Sequence, residues 1–125
     1  MREGATVPPD LQLTEETLDA RTHVIALRGE LDVATVHQLG DALREAIEAG
    51  RTALVVDLLE LTFLDSTGLM VLLNGLRSLV RNEGRLVLVC TNPTVLRLFD
   101  ITGTSSTFTI VKTREHGIEA ARGTD

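Results

Sequence analysis

Three short apolar runs, each followed by a stretch whose apolar residues recur every three or four positions, set the fold class of this chain. The runs are "THVIALRG" (22–29), "TALVVDLL" (52–59) and "RLVLVC" (85–90). Their length and β-branched content mark them as buried strands. Behind the first, Val36, Leu39, Leu43 and Ile47 form a helical stripe that starts near Thr35 and stops at Gly50. Behind the second, Leu69, Leu72, Leu73, Leu76 and Val80 form another, ending near Gly84. Behind the third, Asn92 reads as an N-cap with Pro93 at the first helical position and Gly103 as the stop.

The remaining segments are edges. "LQLTEETL" (11–18) alternates at its start as a half-buried edge strand does, and "LDAR" turns tightly into the next run. So short a connection makes the first two strands antiparallel neighbours. "TFTIVK" (107–112) alternates as a second edge, and residues 114–121 add a short terminal helix. The order β-β-α-β-α-β-α-β-α predicts an α/β domain built on a mixed sheet. The apolar runs are two-sided, which predicts that both faces of the sheet are at least partly covered. One domain over residues 10–120 is expected, with 1–9 and 121–125 as flexible tails. "VPPD" (7–10) cannot sit inside a helix or central strand, and "ARGTD" (121–125) has no apolar residue to anchor it.

Composition excludes several classes. A net charge of −6, no Trp or Tyr, and three widely spaced Phe residues leave neither a basic footprint nor a stacking platform for nucleic acid. No apolar run approaches the roughly 20 residues of a membrane span. The N-terminus lacks the hydrophobic stretch of a secretory signal, and the single Cys90 cannot form an internal disulfide. A cytoplasmic protein that meets other proteins or small molecules is the expectation.

The stretch "FLDSTGLMVL" (63–72) places Asp65, Ser66, Thr67 and Gly68 between two apolar runs. A hydrolase nucleophile elbow wants Gly two residues before Ser66, where Leu64 stands. His23, His37 and His116 have no local context of a catalytic base and read as surface or edge residues. An aspartic protease wants one residue fewer between Asp65 and Gly68. A phosphate-cradling loop needs glycines before its lysine, and the only lysine, Lys112, has none. Cys90 reads as core filler rather than a metal ligand. A phosphorelay receiver is the alternative reading. It would use Asp57 as phosphoacceptor with Glu30, Asp32 and Lys112 around it, but those acids are not adjacent and the chain opens with a hairpin. The plain reading is a helix start, capped by Asp65 or Ser66. A hydroxyl there also offers an electropositive seat for an added phosphate.

At these residues the chain resembles the STAS-domain anti-sigma factor antagonists of bacteria. "GELDVATV" (29–36) is similar to that family's early strand-to-helix signature, "VVDLLELTFLDSTGL" (55–69) to its phosphorylation motif, and "RLVLVCTNPTVLRLFDITG" (85–103) to its later strand-helix segment. The resemblance implies a mixed sheet with helices packed mainly on one side, and a regulatory protein rather than an enzyme, without cofactor or metal. It implies that Ser66 is phosphorylated by an anti-sigma factor that is also an ATP-dependent serine kinase. The unmodified form would bind that partner and free a sigma factor, and a serine phosphatase would reset the phosphorylated form. Asp32 would lie near the acceptor on the kinase-facing surface; by its position it also reads as a cap for the helix beginning near Thr35, and the two roles can coexist. Asp65 would cap or orient Ser66, Thr67 would supply a second hydroxyl, and Gly68 and Leu69 would contact the partner or pack beneath the helix start. A STAS scaffold subunit that is never phosphorylated is the other reading the resemblance allows.

Overall fold

The computed structural model describes residues 11–123. Its elements are β1 Leu11–Thr17, β2 Thr22–Leu31, α1 Val36–Glu48, β3 Ala53–Leu64, α2 Ser66–Arg81, β4 Arg85–Val89, α3 Pro93–Ile101, β5 Thr109–Val111 and α4 Arg114–Arg122. The five strands form one sheet in chain order. β1 runs antiparallel to β2, and the other neighbouring pairs are parallel. Both edges lie where the alternating segments put them.

Alternation along the strands sorts their side chains onto two faces. Ile25, Leu27, Leu54, Val56, Leu86 and Leu88 meet Leu39 and Leu43 of α1, Leu72 and Leu79 of α2, and Phe99 of α3 in the main core. Val24, Val55, Val87 and Val89 face the other way and are covered by α4, through Ala121 and Ile118. Three helices on one face and one on the other explain why the central strands read as apolar on both sides. Cys90 is buried in the main core, and burial pushes its thiol pKa up.

The second helical stripe is rotated from its sequence reading. Val80 is 60% exposed, while Gly75 and Leu79 are buried. The cause is the close approach of α1: a Cβ on Gly75 would meet Leu43 Cδ1 at 2.9 Å. A glycine can therefore sit on the buried line, where a stripe of large residues has no place for it.

β3 is longer than the run 52–59, because it continues to Leu64. Leu58, Leu61 and Leu64 are all buried in the main core at a spacing of three, which a regular strand of period two cannot achieve. Two register slips against β2, between Ala26 and Arg28 and between Gly29 and Glu30, each supply an extra residue on β3. Such bulges bend a strand and re-aim its end. β5 is shorter than 107–112, because Phe108 turns inward and packs edge-on against Phe99 with ring centroids 5.5 Å apart. Residues 1–9 and 124–125 of the expected tails lie outside the described residues. Ala121 and Arg122 are not tail but the end of α4.

His23 is a further correction. It is buried on β2, not a surface residue, and its ring nitrogens lie 2.9 Å from Thr17 Oγ1 and 2.7 Å from Glu15 Oε1 of β1. His37 and His116 are exposed.

Candidate functional site

Leu31 and Leu64 are register partners at the C-terminal ends of β2 and β3. The residues that follow them, Asp32 and Asp65, therefore leave the sheet side by side. The Asp65 N–H donates to the Leu31 carbonyl at 3.2 Å and ties the two exits together. The bulges in β3 are what bring Leu64 into line with Leu31.

Asp65 is the N-cap of α2, in extended backbone conformation. Its carboxylate accepts the Gly68 N–H at 3.0 Å and the Thr67 hydroxyl at 2.6 Å. The backbone N–H groups of Thr67 and, from the neighbouring loop, Val33 also favour its ionised form. Burial alone would push the Asp65 pKa up, but these donors outweigh it and hold it below the ordinary carboxylate value. The site thus contains a fixed negative charge at the helix start.

Ser66 is the first residue of α2 and is exposed. Among the described residues no group hydrogen-bonds its hydroxyl. The seat for a phosphate, however, differs from the expected one. Asp65 already holds the Gly68 N–H, and the Leu69 N–H donates to the Asp65 carbonyl at 3.0 Å. A phosphate on Ser66 would find the helix dipole but few unpaired donors, and an ionised carboxylate next to it.

Gly68 and Leu69 are buried beneath the helix start, which matches the packing role of the two expected for them. A Cβ on Gly68 would come within 2.7 Å of Leu64 Cδ1 and 2.9 Å of Leu31. The glycine is what lets α2 start directly on the strand ends. Asp32 closes the turn before α1 rather than capping the helix itself. Its carboxylate accepts the N–H groups of Ala34 at 3.0 Å and Thr35 at 3.2 Å. Buried Thr35 locks this turn, donating its hydroxyl to the Glu30 carbonyl at 2.8 Å and accepting the Asp32 N–H at 3.0 Å.

Two apolar side chains stand at this surface that sequence reasoning missed: Val33, 75% exposed, and Met70, 49% exposed. Met70 lies one helical turn beyond Ser66, on the same side of α2. The available signal was negative. Both fall off the helical stripes, so the core had no claim on them.

The receiver reading does not survive the geometry. Asp57 is buried on the α4 face, where its Oδ2 accepts the Arg114 Nε–H at 2.9 Å and its Oδ1 accepts the Leu59 N–H at 2.9 Å. Glu30 and Asp32 lie at the end of β2, away from it. Among the described residues no three His, Cys, Asp or Glu side chains gather as a metal would require. No helix among them is long and apolar enough to cross a membrane.

Comparison with known proteins agrees with this fold. The family described as the STAS domain matches residues 13–117. An anti-sigma-B factor antagonist of Staphylococcus aureus is 33% identical over 89 residues, covering 71% of this chain and 82% of its own length. Among solved structures, an anti-sigma factor antagonist from Mycobacterium paratuberculosis superposes with a TM-score of 0.84 at 28% identity, covering 94% of this chain and 98% of its own. The anti-sigma factor antagonist SpoIIAA in its unphosphorylated form gives 0.79 at 30% identity, covering 91% and 99%. Its phosphorylated form from Bacillus gives 0.69 at 28%, covering 87% and 98%.

Proposed function

The chain belongs to the STAS-domain family, and from that footing we propose that it is an anti-sigma factor antagonist switched by phosphorylation of Ser66. In this reading the unmodified protein works in the cytoplasm, binds an anti-sigma factor with serine kinase activity, and frees a sigma factor. Transfer of a phosphoryl group to Ser66 ends the complex, and a serine phosphatase restores it. The kinase supplies nucleotide and metal, and this domain supplies the acceptor.

The observation that carries the reading is the state of three adjacent side chains. Asp65 and Thr67 are bound to each other, and Ser66 between them has an exposed hydroxyl with no hydrogen-bond partner among the described residues. An acceptor must be reachable and uncommitted, and Ser66 is both. That a close structural relative has been obtained in unphosphorylated and phosphorylated forms supports the same reading. Asp32, Asp65 and Thr67 frame the acceptor. Gly68 and Leu69 act from below by fixing the height of the helix start. Val33 and Met70 supply apolar contact for the partner.

The test is phosphosite mapping. The chain is incubated with ATP and native-host lysate fractions, and the 60–77 region is read by mass spectrometry. Modification confined to Ser66, with loss of the co-purifying anti-sigma factor from the modified fraction, is the expected result. A stable complex whose Ser66 is never modified would instead make the domain a STAS scaffold.

A further inference from the structure

Val80 is displaced from the core, and with half-buried Leu73 and Leu76 it lines an open groove of about 360 Å³ on the outer side of α2, closed at one edge by Thr107. Arg77 and Arg81 complete the lining, and no carboxylate takes part in it. Arg81 donates to Ser78 Oγ at 3.2 Å, and neither arginine forms an ion pair among the described residues. On a chain of net charge −6 this is a local patch of cationic and apolar character. At helical spacing, Ser66, Met70, Leu73, Arg77 and Val80 fall on one line along α2. The groove therefore lies on the same side of α2 as the acceptor, and Arg77 lies about 16 Å along the axis from Ser66 at ~1.5 Å per residue.

We propose that this groove is a second docking point for the protein that engages Ser66, and that it takes an acidic amphipathic segment of that partner. Apolar side chains of the segment fill the space between Leu73, Leu76 and Val80, while its carboxylates pair with Arg77 and Arg81. The assignment of the segment to that partner rests on the reading of Ser66 given above. The separation from Ser66 exceeds the Debye length of about 8 Å at physiological ionic strength. Phosphorylation thus acts on the contact at Ser66 and leaves the groove itself unchanged, a contact too weak to hold the partner alone.

The test uses the full chain, labelled with ¹⁵N, and a synthetic helical peptide with Leu at i, i+4 spacing flanked by Glu. A matched peptide carrying Lys in place of Glu is the control. Amide shifts confined to Leu73–Arg81 and Thr107 are expected with the Glu peptide only. The paired substitution Arg77→Glu and Arg81→Glu should weaken binding about tenfold, and Ser66→Asp should leave it unchanged. Equal binding of both peptides, shifts centred elsewhere, or no shifts at all would overturn the proposal. Shifts that follow chain concentration without peptide would also overturn it, by making a second copy the occupant. The titration contains no kinase, so a failure of Ser66 to be modified and a failure of the groove are separate results.

Discussion

The Thr67 hydroxyl donates to Asp65 Oδ1 at 2.6 Å, a short charge-assisted bond that joins the two neighbours of Ser66 to each other. A kinase therefore meets two hydroxyls of unequal freedom. Ser66→Ala should lose most phosphoryl incorporation, with Thr67 taking over only weakly. Quantitative labelling of the wild type, Ser66→Ala and Thr67→Ala decides it. Equal incorporation in wild type and Ser66→Ala would show that the acceptor has been misplaced.

The Asp65 carboxylate is also structural. Asp65→Ala removes the cap of α2 and should cost about 1–2 kcal/mol. Thr67→Ala should cost less, since the Gly68 N–H still satisfies Asp65. Urea unfolding midpoints of the two variants, at unchanged slope, provide the comparison.

Arg114→Ala should be the more damaging surface change. The Asp57 side chain is 8% exposed and relies on Arg114, itself 40% exposed, for charge compensation. Stranding that carboxylate should cost about 3 kcal/mol. The double variant Asp57→Asn with Arg114→Ala should recover part of the loss. A double variant no more stable than Arg114→Ala alone would mean that the ion pair is not the cause.

Asp19 gives an acid-range signature. The Arg21 N–H first, then the Thr22 hydroxyl and N–H, with a lesser contribution from Arg122, lower its pKa from 3.8 to about 2. The folded state then binds fewer protons than the unfolded state between these values. The stabilisation is complete above about pH 4 and is lost as pH falls through about 2. Thermal melts across this range should fall less steeply for Asp19→Asn than for wild type.

A phosphate on Ser66 should act on binding far more than on folding. The helix dipole favours it by roughly 0.3–1 kcal/mol, and the ionised Asp65 opposes it. The two effects leave the melting temperature within a few degrees. Burying an unmatched charge at the partner surface typically costs about 2–5 kcal/mol, a loss of roughly thirtyfold to several thousandfold in affinity. Calorimetric titration of both forms beside their thermal melts separates the two effects. A large fall in melting temperature would identify the phosphate as a structural disruptor instead.

The order of strands and helices was legible because the hydrophobic period switches between two and about three and a half, and each switch coincides with a cap or a glycine. A cap at Asp65 or Ser66 was legible for the same reason. Legibility failed where a long-range contact broke the local period. Leu58, Leu61 and Leu64 share one face only because β2 forces two bulges on β3, and Gly75 lies on the buried line only because Leu43 reaches it from α1. Burial of His23 depends on Glu15 and Thr17 across the hairpin. The Asp65 N–H finds the Leu31 carbonyl through the pairing of Leu31 with Leu64, which no stretch of sequence encodes by itself.

The single-helix cover of the second face bears on the order in which the protein is made. The sheet grows strand by strand in the direction of synthesis, and α1, α2 and α3 can settle on their face as they emerge. Val24, Val55, Val87 and Val89 wait for α4, the last in chain order of the described elements. Until then a nascent chain presents a valine-lined half-sheet of the kind that chaperones hold and aggregates recruit. Closure of this face is a single event, and a chain truncated before Arg114 should behave as a sticky intermediate rather than as a smaller working domain.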